Sequence, residues 1–151
     1  MPIDDAPDAP LDEWSGDRGC GVQYFSQQAV GRLLGPAGIQ VDPLASLPER
    51  LVHLQGLMAA CDPQAPRVYE TIGAYLGYAL LDCRELYDLE HLLLLGRVMT
   101  GDGGTVIIER ARAVLRAEDP AAAEAITVHT PSERDKRHGQ AMAAASLPAL
   151  G

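Results

Sequence analysis

The 151-residue chain reads as an α/β domain, rich in helix, with a small set of parallel strands. Three observations predict this class. Apolar residues recur at helical spacing through residues 21–86. The period then breaks at His91–Leu95, a short run closed by Gly96, as expected of a strand buried on both faces. A second short strand, Ile126–His129, follows one helix later. Strand, helix and strand in that order imply parallel pairing through a right-handed crossover.

Residues 1–18 are rich in Asp and Pro and show no period, so they are expected as an extended or disordered lead-in to a folded unit at 19–151. From Gly21 the pattern is helical: Val22, Phe25, Ala29, Val30, Leu33 and Leu34 fall near one face, and Gly35-Pro36 supplies a stop. The next helix starts at Ser46, with Glu49 three residues on completing a capping box. Its apolar stripe is Leu47, Leu51, Leu54, Leu57 and Met58, and it ends near Cys61.

A longer helix spans about 63–86, with Val68, Ile72, Tyr75, Leu76, Ala79, Leu80 and Cys83 on its buried face. Gly73 and Gly77, one turn apart, allow another backbone to approach closely. After the 91–95 strand and the Gly101–Gly104 turn, a further helix carries Val106, Ile107, Ala111, Val114 and Leu115. An Ala-rich helix is expected at 132–147, after the second strand. Two strands alone make a marginal sheet, so the buried strand is expected to have further neighbours.

Composition narrows the function. A net charge of -9 repels a phosphate backbone, and the cluster at Arg134, Lys136 and Arg137 is diluted by Glu133 and Asp135, so nucleic acid is excluded as a partner. Residues 1–17 hold six acidic side chains and no apolar core, unlike a signal peptide. Leu92–Leu95 is far too short to span a bilayer. The three cysteines, Cys20, Cys61 and Cys83, lie far apart, as reduced thiols of a cytoplasmic protein do.

Two segments carry a family resemblance. Residues 13–29, EWSGDRGCGVQYFSQQA, resemble the signature C-G-C-G-x-x-G-C-x-E-x-x-x-S-x-x-A of the ROK family, bacterial sugar kinases and sugar-responsive repressors. Laid out without a gap, Gly16, Gly19, Cys20, Ser26 and Ala29 sit on matching positions, and Arg18 falls on an unspecified one. Residues 69–115 resemble the stretch where a helix ending A-x-x-L-G leads to a buried strand and a Gly-rich turn; here Ala74, Leu76 and Gly77 stand one position closer together, as A-x-L-G, before LLLLG at 92–96. The ending RHGQAMAAASLP resembles that family's last helix.

The resemblance implies part of an actin-like, ribonuclease H-like lobe, one of two that close on a hexose-type sugar and on ATP with magnesium. The partner would be a missing N-terminal lobe or a second copy. The D-x-G-G-T phosphate loop and the Asp base of such kinases are not in this sequence. No catalytic residue is therefore assigned, and the isolated chain is expected to be inactive, since phosphoryl transfer depends on positioning and charge neutralisation.

Three departures bear on ligands. Where the family holds structural zinc through three signature cysteines, this chain has Glu13, Ser15 and Cys20, and zinc is expected to be lost. The family's sugar-contacting Glu falls on Val22, and Gln23 beside it is the sugar-binding candidate. The nucleotide loop, a glycine run in the family, is Gly96-Arg97-Val98, the nucleotide-binding candidates. Plainer readings stand beside these. Gln23 is a surface or capping residue, Gly96 a tight turn, Gly103-Gly104 a helix start, and Ser26 a helix residue bonded to backbone. The four histidines, His53, His91, His129 and His138, share no ligand spacing, so no metal site is expected. A non-catalytic sugar sensor and an interaction module with no small ligand are the alternatives to a kinase lobe.

Overall fold

A computed structural model describes residues 3–130. Six α-helices pack around one apolar core in these residues, with a two-stranded parallel sheet at one side: α1 Val22–Phe25, α2 Gln27–Leu33, α3 Leu47–Ala59, α4 Ala65–Leu86, β1 His91–Leu93, α5 Asp102–Glu118, α6 Pro120–Ala125 and β2 Thr127–His129. A 3-10 turn, Arg97–Met99, joins β1 to α5. The helix expected at 132–147 lies outside the described residues.

Residues 3–18 hold no helix, yet hydrogen bonds tie them down. The Ile3 amide donates to the Gly19 carbonyl at 2.8 Å, Gly19 donates to Pro10 at 3.0 Å, and Leu11 bridges antiparallel to Arg18. These bonds cross the expected boundary at residue 18, so the segment is continuous with the folded body. Ala9 is buried, and the Tyr24 hydroxyl donates to the Asp4 carboxylate.

The helix expected from Gly21 is broken at Ser26, whose backbone is extended (φ −110°, ψ −171°). Its hydroxyl donates to the Val22 carbonyl at 2.5 Å and accepts from the Gln28 amide at 3.1 Å, closing α1 and capping α2 with one side chain. The chain reverses at Gly38 (φ 81°), after Gly35-Pro36, where the Ile39 amide returns to the Leu34 carbonyl at 2.9 Å. At the start of α3 the Glu49 carboxylate accepts from the Ser46 amide at 2.7 Å and from its hydroxyl at 2.6 Å.

The core is mainly aliphatic, and Tyr69 is fully buried in it with Leu34, Leu51, Leu54, Ile72, Ile107 and Leu115. Its centre is the α4–α5 contact. A Cβ built on Gly73 would sit 2.6 Å from the Ile107 carbonyl oxygen, and one on Gly77 would sit 2.6 Å from the Val114 Cβ. These two glycines let the helices approach, as their spacing predicts.

β1 and β2 run parallel, with His91 opposite Thr127, Leu92 opposite Val128 and Leu93 opposite His129. The expectation of a strand buried on both faces is corrected. Leu92 and Leu94 turn towards the core, but Leu93 and Leu95 are each 59% exposed. The residues described here cover one face of the strand only.

Candidate functional site

A concavity of about 390 Å³ lies where the corner after β1 meets the α1–α2 break. The corner contributes Leu95, Gly96, Arg97 and Val98. The break contributes Val22, Phe25, Ser26, Gln27 and Gln28, and Leu47 closes the side at the start of α3. Segments about seventy residues apart in sequence thus form one wall each. Aliphatic and aromatic surface alternates with two amides, a hydroxyl and one guanidinium.

The corner is held from three directions. Gly96 has φ 117° and ψ 169°, a conformation that costs any residue with a Cβ dearly, although nothing lies within 4 Å of the space a Cβ would fill. The glycine is required by its backbone and not by crowding. Val98 is 6% exposed and packs into the core, anchoring the 3-10 turn. The Gln55 side-chain amide donates to the Arg97 carbonyl at 3.1 Å, and the exposed Arg97 is part of the concavity's lining.

All three nucleotide-binding candidates, Gly96, Arg97 and Val98, therefore reach this concavity, Val98 chiefly as a structural anchor. Gln23 does not. It is 5% exposed and lines a separate depression of about 490 Å³ between α2 and the start of α3, with Glu13, Gln28, Arg32 and Arg50. Its backbone carbonyl accepts from the Arg32 guanidinium, which also lies 5.2 Å from the centre of the Tyr24 ring. Gln28 borders both depressions. Gln27 and Gln28 were not singled out from sequence, and Phe25 was read there only as part of an apolar helix face. The available signal was their place beside Ser26 in the segment that carries the resemblance.

The electrostatics beneath this region centre on Asp4 and Tyr24. Burial, reinforced by the bond to Asp4, pushes the Tyr24 phenol up to about 12. The same bond, followed by the Ala6 amide, holds the Asp4 carboxyl below its ordinary value. Tyr24 also stacks edge-on against Tyr75, ring centres 5.1 Å apart, which pins α1 to α4.

The residues at the positions where the sequence resemblance would put zinc do not fit that metal. Glu13 is exposed, and the Ser15 hydroxyl already donates to Asp12 at 2.9 Å while lying 3.8 Å from the Cys20 sulfur. One thiol is left where a structural site wants four nitrogen or sulfur donors. Among the described residues no three His, Cys, Asp or Glu side chains are grouped to hold a metal ion, and no helix is long and apolar enough to cross a membrane.

Comparison with protein-family models, with curated proteins and with solved structures finds no match for this chain.

Proposed function

We propose that the concavity between the β1 corner and the α1–α2 break binds a hexose-type sugar, in a lobe of the actin-like kind used by ROK sugar kinases and sugar-responsive repressors. One observation carries this. The two sequence segments that resemble that family, 13–29 and 69–115, furnish opposite walls of one depression. The lining suits the ligand. Phe25 and the aliphatic side chains offer apolar surface to a ring face, and Ser26, Gln27 and Gln28 offer donors and acceptors for hydroxyl groups. Arg97 at the edge suits a phosphate, so ATP with magnesium is the second ligand to test.

The proposal is of binding and not of phosphoryl transfer. No side chain of the concavity is a carboxylate able to act as base, and the sequence has no phosphate loop. A second reading, an interaction module without a small ligand, draws on the exposed apolar side chains Leu93 and Leu95 beside the same corner.

Saturation-transfer NMR with a panel of hexoses, and with ATP and magnesium, separates the two readings. Transfer to hexose ring protons is expected. Substituting Gln28→Ala should weaken it by up to about tenfold, the loss of roughly one net hydrogen bond. Absence of transfer from every hexose at millimolar concentration would favour the interaction module.

A further inference from the structure

His91 and His129 lie thirty-eight residues apart in sequence, and parallel pairing of β1 with β2 sets them together on the exposed face of the sheet. They are diagonal neighbours, since His91 faces Thr127 and His129 faces Leu93. Their rings are 5.2 Å apart at 54°, and the His91 Nδ1 lies 3.2 Å from the His129 Nε2. Both side chains are exposed.

We propose that this pair is a surface site for a divalent transition-metal ion of the zinc and nickel class, with both imidazoles as ligands. The distance is the first reason. Two imidazole nitrogens bound at about 2.0–2.1 Å stand roughly 3.3–3.4 Å apart on a tetrahedral ion and roughly 2.9 Å apart on an octahedral one. The observed 3.2 Å lies between these, so an ion can take the pair with little rearrangement.

The second reason is chemical. Two neutral rings have one N–H between the facing nitrogens and share it as a hydrogen bond. When an ion enters, that proton moves to the outer nitrogen of its own ring. Both facing lone pairs then point at the metal, and no net proton is released. The outer nitrogens, Nε2 of His91 and Nδ1 of His129, make no hydrogen bond among the described residues and are free to carry the N–H. Water completes the coordination, as no third protein donor is grouped with the pair among those residues.

An ion held across β1 and β2 joins two strands of three residues each, a pairing that is marginal by itself. Metal binding is therefore linked to stability, and zinc should raise the thermal midpoint in a concentration-dependent way.

The test is a titration of the untagged chain with zinc chloride and with nickel chloride, followed by calorimetry and by thermal melting. Binding is expected with a dissociation constant of roughly 1 mM or tighter. His91→Ala and His129→Gln should each weaken it at least about tenfold, because losing even an outer-sphere partner costs that much. His129→Gln keeps a hydrogen-bonding side chain and guards against loss of the sheet. His53→Ala should bind as the parent chain does. Independently of any variant, zinc should shift the imidazole nitrogen resonances of His91 Nδ1 and His129 Nε2 in the intact protein. A chain that shows neither heat nor a resonance shift at several millimolar ion overturns the proposal. So does binding that survives both His91→Ala and His129→Gln.

Discussion

At the scale of single residues, the Asp4–Tyr24 bond is the contact that ties chemistry to stability. The Asp4 pKa is depressed in the folded state, so its contribution is present above the ordinary carboxylate value of about 3.9 and lost as pH falls through the folded value. Tyr24 works in the opposite direction. Its pKa is raised to about 12, so its contribution is whole below about 10 and lost as pH rises to about 12. Thermal melting across pH should therefore show an acid-side decline that is shallower in Asp4→Asn. It should also show an alkaline decline between about 10 and 12 that is shallower in Tyr24→Phe. Some alkaline decline should persist in that variant, because burial also pushes Tyr69 up to about 12. None of this is legible in the sequence. An Asp-Pro-rich lead-in looks solvated until the fold shows Ile3 bonded to Gly19 and Asp4 bonded to a tyrosine twenty residues on.

At the scale of elements, helix positions were readable because a helix imposes a local period, whereas the breaks depended on single side chains. Leu51, Leu54, Val68, Ile72, Leu76 and Leu80 are buried as their spacing predicts. Ser26 interrupts a continuous apolar pattern because its hydroxyl serves two backbone groups at once. Glycines on the helices divide in the same way. Gly73 and Gly77 sit at the α4–α5 contact, so Gly73→Ala should force the helices apart and cost roughly 1–3 kcal/mol. Gly56 in α3 has nothing within 4 Å of an added Cβ, and Gly56→Ala should stabilise by about 0.5–1 kcal/mol. Chemical denaturation of both variants checks the pair. Equal effects would mean that α4 and α5 are not in close contact.

At the scale of the whole molecule, the one-sided burial of the sheet governs what substitutions do. Leu93→Lys should leave the stability of the chain within about 0.5 kcal/mol, since Leu93 is a surface residue here. Ile107→Ala, in the centre of the core, should cost roughly 2–5 kcal/mol. A large loss from Leu93→Lys, measured by urea unfolding, would mean that something covers the outer face. At this scale the sequence named residues but not their grouping: Gly96, Arg97 and Val98 line the concavity beside the corner, and Gln23 lines a different depression, one helical break away.

Apart from the break at Ser26 and the short helix α6, the sequence by itself determined the main helices and the two strands, the aliphatic core positions, the tight glycine spacing on α4 and the glycine corner after β1. Each of these follows from a period or a dihedral requirement local to a few residues. Only the tertiary structure decided which segments meet: the lead-in on α1, the corner against the α1–α2 break, and two histidines made neighbours by strand register. Such meetings depend on contacts between distant residues, and the burial and hydrogen bonds gained there leave no periodic mark along the chain.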